Sequence, residues 1–346
     1  MQLDAHLAGA DQEQAWDRFV LSHGQGTACH LYGWKHVIED AYGRDCYPLW
    51  VERDGDVGGV FPLVLMKGRL GGDRLISMPF LDQGGILATG EEQAAALWRA
   101  ALQLAGRLGA RGLEARGSVP GGVTAPAATQ RFRWMLSLTS SQEDLWGAVG
   151  GKVRNQVRKS TRLGLTTRVA AAADLPLFYR LFAHNMRDLG SPVHAVSFFD
   201  RVLAVFQSRA TLYLTQEPGG RAVAGGIALR FGDGVSVPWA SSLHDARPAC
   251  PNHSLYWKIL GDALEQGCRV FDFGRSTRGT GPARFKKHWR AEATPLVWTD
   301  VDSDGQLEQE GAWSNQDHTT LVKLWQLLPL GVANRLGPVI RGQLPN

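Results

Sequence analysis

The sequence predicts an α/β protein made of two similar halves, each a mixed sheet with helices on its faces. Three observations on the 346-residue chain point there. Strand-like runs flank a polar turn and a Gly-Gly pair at 49–65 (LWVERDGDVGGVFPLVL) and again at 212–231 (LYLTQEPGGRAVAGGIALRF). A proline between large apolar residues follows in each half, in Met78-Pro79-Phe80 and Val237-Pro238-Trp239. A helical stretch then leads into a short strand closed by glycine: 91–110 before LEARG at Gly117, and 252–267 before VFDFG at Gly274. Landmarks in one order at nearly constant spacing mark a duplicated unit.

The paired runs read as antiparallel strands, because strand-forming residues sit on both sides of a turn rich in glycine and charge. Gly58-Gly59 and Gly225-Gly226 lie early in a strand, where either a bulge or a plain turn fits. Each helix ends at glycine, the favoured residue just past a helix. A strand–helix–strand crossover joined to a hairpin makes a mixed sheet, which excludes an all-α or all-β chain. The length exceeds one ordinary core and suits two domains. We expect them at 1–140 and 141–300, with the tail 301–346 packing back on the first.

Composition narrows the function. The apolar fraction of 44% is that of a globular protein, and the formal charge of +4 demands no nucleic acid; no DNA partner is expected. Cys29, Cys46, Cys250 and Cys268 form no CxxC pair and read as reduced core residues. The ten histidines form no HExxH pattern, so no metal is expected. The N-terminus is acidic without an apolar core, unlike a signal peptide. No run of about 18 apolar residues suggests a membrane span. A cytoplasmic location follows.

The halves differ where chemistry is expected. Ala115 of the first half aligns with Asp272 of the second. A partly buried carboxylate there needs a partner, and Arg275, Arg278 and Arg284 are near in sequence. The pair either shapes the loop or positions a substrate. The segment Gly274-Arg275-Ser276-Thr277-Arg278-Gly279-Thr280-Gly281-Pro282 combines glycines whose N–H groups can face an anion with arginines that clamp phosphate or carboxylate. It is not a P-loop, since no GK[ST] follows. Beyond it, Arg284-Phe285-Lys286-Lys287-His288-Trp289 reads as an amphipathic edge strand or as part of a site. A second basic cluster, GGKVRNQVRKSTRLG, sets Arg154, Arg158 and Arg162 on one helical face beside Lys152 and Lys159, with Val153 and Val157 to dock the other. Its lack of acids favours a phosphate-bearing partner: tRNA, coenzyme A or a nucleotide-linked precursor.

These residues together, KVRNQVRKS, PNHSLYWKILGDALEQGCRVFDFGRS and GxxxFKKHW, resemble the FemAB-like branch of the GNAT superfamily, closest to the BioF2-like subgroup associated with PEP-CTERM/exosortase exopolysaccharide systems. The tail LVKLWQLLPLGVANRLGPVIRGQLP is similar too. The resemblance implies two tandem GNAT-like domains facing a shared cleft, and transfer of an acyl or aminoacyl group to an amine of an envelope precursor. It implies that Lys286 stands near the reacting carbonyl and that Asp82, in MPFLDQGG, is a cleft aspartate. It implies donor or substrate contacts from Arg154, Arg158, Lys159, Asn252, Tyr256, Trp257, Arg275 and Ser276. Trp239, Asp272, Phe285 and Trp289 complete the candidate binding set. The usual GNAT pyrophosphate loop, [QR]xxGx[GA], has its nearest candidate around Gly279-Thr280-Gly281, with Ser276 where Gln or Arg belongs and no helix expected after it. FemAB enzymes also lack that loop.

Acyl transfer to an amine needs a neutral amine, a stabilised oxyanion and alignment. Lys286 is the expected oxyanion donor, an effect worth about 2.7–4 kcal/mol, and Asp82 or water the base. No covalent acyl-enzyme and no tightly bound cofactor are expected; acyl-CoA or aminoacyl-tRNA is the donor. The absence of a heptad arm tilts towards a thioester. A non-catalytic glycan-precursor-binding or scaffold protein is the rival from another class. Leu321, Leu324, Trp325, Leu327 and Leu328 with Lys323 form a short apolar stripe stopped by Pro329. It suits packing on the parent domain or, alternatively, peripheral contact with the inner membrane face through 319–345.

Overall fold

Unbroken apolar runs such as VFPLVL need cover on both faces, and each half supplies it with helices. The computed structural model describes residues 3–68, 72–122, 131–308 and 319–344. The chain divides into one unit of Met1–Thr129, Leu296–Asp317 and Ile340–Asn346, and a second of Gln130–Pro295 and His318–Val339.

The first unit contains β1 (Ala5–Leu7), α1 (Glu13–Ser22), α2 (Gly33–Tyr42), β2 (Cys46–Arg53), β3 (Asp56–Met66), β4 (Arg74–Ser77), β5 (Leu87–Ala88), α3 (Glu91–Arg107) and β6 (Gly112–Ala115). Its sheet runs β1-β2-β3-β4-β6 and ends on β14 (Thr299–Asp302), with β5 beside β3. Only β4 and β6 pair in parallel, over Leu75↔Leu113 and Ile76↔Glu114. Ala96, Leu97, Ala101, Leu104 and Ala105 give α3 a buried stripe, which packs with Phe61, Leu63, Leu75 and Leu113. Each glycine of the first pair has its own task. Gly58 is the extra residue of a bulge, since Val57 pairs with Glu52 and Gly59 with Val51. A Cβ on Gly59 would fall 2.9 Å from the Leu87 carbonyl, so its absence lets β5 approach.

The second unit contains β7 (Arg131–Ser137), α4 (Gln142–Ala148), α5 (Gly151–Arg162), β8 (Thr166–Ala170), α6 (Leu175–Asp188), α7 (Val196–Phe206), β9 (Ala210–Gln216), β10 (Ala222–Phe231), β11 (Gly234–Ser242), α8 (Pro251–Glu265), β12 (Val270–Thr277), α9 (Gly281–His288), β13 (Glu292–Pro295) and α10 (Thr319–Gln326). The last helix, α11 (Leu330–Arg341), lies in it as far as Val339. The sheet order is β13-β7-β12-β11-β10-β9-β8. Counted from β8, the strand senses repeat those of the first unit: three antiparallel pairs, the parallel pair β11/β12, then antiparallel β12/β7. The mixed α/β architecture is therefore built twice.

The boundaries differ from those expected at 140 and 300. β7 directly follows the first unit in sequence but pairs with β12, while β14 follows β13 but pairs with β6. The first sheet thus takes β14 from beyond the second unit's chain segment, while β7 opens the second unit's own segment. The tail meets the expectation of packing on the first unit in part: β14 and the residues from Ile340 onward belong to that unit, whereas His318–Val339 belong to the second. Its α10 joins the second, where Gln326 Nε2 donates to the Asp188 carbonyl at 3.0 Å. Residues 309–318 and 345–346 of the tail lie outside the described residues. The basic-aromatic run after Thr280 is a helix, α9, and not an edge strand; Thr280 Oγ1 caps it by accepting from the Ala283 N–H.

In the first unit, the chain's own groups occupy the space beyond the short parallel pair. Met78 (φ 45°) and Phe80 (φ 73°) turn sharply after β4. The buried Arg116 guanidinium donates to the Met78 carbonyl at 3.1 Å, to the Leu81 carbonyl, and to Glu114 Oε1 at 2.8 Å. Its face lies 4.3 Å from the Trp298 ring centre. Arg116→Met leaves Glu114 and two carbonyls without this donor. Urea denaturation should show a loss of about 3–5 kcal/mol; a loss near zero contradicts the role.

Candidate active site

Strands β11 and β12 pair over only three residues, Gly234↔Val270, Val235↔Phe271 and Ser236↔Asp272. Both continue, β11 to Ser242 and β12 to Thr277. Two local devices part them. On β11, Val237 and Pro238 face the single residue Ala228, between Ile227↔Trp239 and Leu229↔Ser236. Proline lacks the ladder N–H, so it suits such a bulge. On β12, Phe273 and Gly274 face the single residue Trp134, and Gly274 takes φ 73°. A left-handed residue at a bulge is glycine's natural place. Beyond Ser236 no β12 pairing is formed among the described residues, and the sheet opens.

Side chains fix this opening. Asp272 Oδ2 accepts from Arg133 Nε at 2.7 Å, and its Oδ1 accepts from the Gly274 N–H at 2.7 Å. Lys286 is 7% exposed, and its Nζ donates to the Gly274 and Arg275 carbonyls at 2.8 Å each. Lys286, Asp272 and Arg275 therefore meet at one bulge. Ser276 lies next to them, its hydroxyl donating to the Arg275 carbonyl at 2.7 Å. The ion-pair partner of Asp272 is Arg133 on β7. Arg278 instead lies over the Phe132 ring at 4.4 Å. Sequence reasoning passed over Arg133 because β7 reads as the end of the first half.

Several expected binding residues are core. Tyr256 stacks on Phe273 with centroids 5.3 Å apart, and Phe285 and Trp289 close the cluster between α8, β12 and α9. Trp289 is fully buried, and burial pushes the Tyr256 hydroxyl pKa up. Trp239 is 4% exposed and meets Phe198 and Phe199 edge-on at 5.5 Å. These four pack α8, α9 and α7 in place; Tyr256, Trp239 and Trp289 are too buried to offer a substrate surface. Arg154 is likewise structural: its Nη1 donates to the Trp146, Gly147 and Val149 carbonyls at 3.2, 3.1 and 2.6 Å, capping α4.

The rest of the basic helix borders a groove. Arg158 lies 5.1 Å over Trp146, which meets Trp257 edge-on at 5.0 Å. With Arg162, Thr161 and Gln142 they line an open groove of about 580 Å³. Lys159 is exposed on α5 and its charge reaches Cys250, whose thiol pKa burial raises and Lys159 pulls back. Cys250 belongs to the segment Arg247-Pro248-Ala249-Cys250-Pro251-Asn252, which carries β11 into α8. It fits [QR]xxGx[GA] only in its first position, with Cys250 (φ 63°) where the motif has glycine. The strand-to-helix loop beside the opening is thus this one. The Gly279-Thr280-Gly281 candidate also precedes a helix, contrary to the expectation, but follows β12. Asn252 Oδ1 is buried without a hydrogen-bond partner at the start of α8. Asp82 lies in the first unit, after the Met78–Leu81 turn, and its carbonyl accepts from Trp298 Nε1 at 3.0 Å. Among the described residues no group of three or more His, Cys, Asp or Glu is placed to hold a metal.

His253, unremarked in the sequence, stacks on Trp289 at 6.0 Å. Burial, then the His288 and Lys152 charges, push its pKa down to about 4.

The model of the Acetyltransferase (GNAT) domain family matches residues 147–287, spanning α5 to α9. The second unit carries a GNAT acetyltransferase domain. The match places an acyltransferase domain of the GNAT kind within the second unit. Among solved structures, FemX superposes with a TM-score of 0.70 at 16% identity, covering 87% of this chain and 97% of that one. A tandem GNAT protein from the clavulanic acid biosynthesis pathway gives 0.53 at 13% identity, covering 87% and 98%. L-PGS from Bacillus licheniformis gives 0.52 at 12% identity, covering 86% and 97%. At such identities the likeness is one of fold, two GNAT-like units in one chain with FemX as a FemAB-like relative in architecture. No curated protein sequence matches the chain. No helix among the described residues is long and apolar enough to cross a membrane.

The histidine gives a testable pH dependence. Its folded pKa lies below the ordinary 6.5, so its contribution is complete above 6.5. As pH falls towards about 4, the unfolded chain takes up a proton that the folded chain refuses, and stability is lost. Urea titrations across that range should show a shallower loss for His253→Phe; identical slopes contradict the assignment.

Proposed function

We propose that the chain transfers an acyl or aminoacyl group from an activated donor to an amine of a cell-envelope or exopolysaccharide precursor, directly, in a ternary complex. The observation that carries this reading is the parting of β11 from β12 beside Lys286. A free strand edge binds an extended chain that carries amides, as a peptide adds to a sheet. The pantetheine arm of an acyl-CoA is such a chain. The loop Arg247–Asn252 at the α8 N-terminus, with Lys159 nearby, then suits the donor's phosphates.

The amine nitrogen attacks the thioester carbonyl carbon. The tetrahedral intermediate collapses, the C–S bond breaks, and the thiolate takes up a proton while the amine's proton leaves to water. Lys286 serves twice in this proposal. It holds the Gly274 bulge, and its ammonium charge favours the developing oxyanion.

A second reading keeps the chemistry but takes aminoacyl-tRNA as donor. The acid-free helix α5, with Arg158 and Arg162 beside Trp146 and Trp257, favours it, because bases stack on indoles while arginines meet phosphates. RNase treatment of an active preparation separates the two: loss of activity selects the tRNA donor, retention the thioester.

The direct test is Lys286→Ala under acyl-CoA and amine acceptor, with Tm measured in parallel. Turnover should fall about 10²–10³-fold, far more than donor affinity. Equal losses in turnover and affinity in a folded variant count against the oxyanion role.

A further inference from the structure

The two tail helices dock through one face each and leave the other bare. On α10, Val322 packs on Gly190, where an added Cβ would sit 2.4 Å from its Cγ1. Arg187 Nη1 donates to the Leu328 carbonyl just after the helix, at 3.1 Å. On α11, Ala333 is buried and Gly337 lies against Val193, 2.9 Å from its Cγ1 to an added Cβ. Both inner faces thus use the segment from Arg187 to Val193 that follows α6. The outer faces carry Leu321, Leu324 and, just beyond α10, Leu327, then Val332, Leu336 and Val339 on α11. Leu327 is 80% exposed and Leu321 62%. Six of the fifteen exposed large apolar side chains among the described residues thus lie on or just beyond these two short helices. Concentration of that kind marks an interaction surface.

Charge selects the partner. Residues 319–344 contain no Asp or Glu but include Lys323, Arg335 and Arg341, and Lys323 and Arg335 are exposed beside the leucines. A second copy of the same face would bring like charges together with no acid from this stretch to pair them. Aliphatic side chains on short helices, edged by lysine and arginine, suit the boundary of an anionic bilayer. We propose that the α10–α11 face of the second unit binds anionic membrane surfaces peripherally, its leucines entering the acyl boundary and its cations meeting lipid phosphates. This does not rest on the transferase reading, since it concerns binding alone.

Co-sedimentation of the full chain with vesicles of phosphatidylcholine and phosphatidylglycerol in equal parts tests it. The protein should sediment with them, bind phosphatidylcholine vesicles much more weakly, and dissociate as salt rises. The double variant Leu324→Glu/Leu336→Glu should keep its Tm, because both side chains are exposed, and should lose binding about tenfold or more. No binding to the mixed vesicles overturns the proposal, as does binding that the double variant retains. A dimer that this variant dissolves, without vesicle binding by the parent, assigns the face to a second copy and also overturns it.

Discussion

Gly274 takes a left-handed backbone, and three polar side chains then hold the kink that results. Asp272 bridges Arg133 and the Gly274 N–H, while Lys286 satisfies the Gly274 and Arg275 carbonyls. Such groups, left buried and unpaired, would cost more than the bonds contribute net, so each bond reinforces the others. The geometry around β12 follows from that constraint. β12 swings from β11, α9 is tethered beneath the bulge by Lys286, and the aromatic cluster of Tyr256, Phe273, Phe285 and Trp289 fills the space between the elements so positioned.

The first unit shows what the same topology does with a different side chain. Its parallel pair, β4 and β6, is shorter still, and the buried Arg116 reaches the carbonyls of Met78 and Leu81. A turn of its own chain fills the place, with Gly85 and Gly117 in contact so close that a Cβ on Gly85 would sit 2.8 Å from the Gly117 Cα. One architecture is thus closed by arginine and left open beside lysine. The open edge lies in the unit whose residues 147–287 match the acetyltransferase family.

The repeated strand–turn–strand pattern, the glycine-closed helices and the mixed sheets were legible in the sequence, because strand and helix periodicity and glycine punctuation are local. The grouping of Lys286 with Arg275 and Ser276 was legible for the same reason: one turn of chain joins them. Arg133 was not, since β7 changes sheets and nothing local records that. The left-handed turn before α8 was hidden because cysteine, not glycine, takes φ 63° at Cys250. Arg154 resembled its neighbours on α5 as a cation for ligands, and only the carbonyls at the end of α4 reveal its use as a cap. Tyr256, Trp239 and Trp289 carry polar atoms that suggest contact with substrate, yet their ring areas are buried between elements.

Hydrogen exchange of the full chain, with and without an acyl-CoA, reads the open edge itself. Exchange should slow at amides of Val237–Ser242 on β11 and of Arg247–Asn252 before α8, as a donor arm takes that edge. Slowing confined to the first unit, or none at β11 under saturating donor, would contradict it.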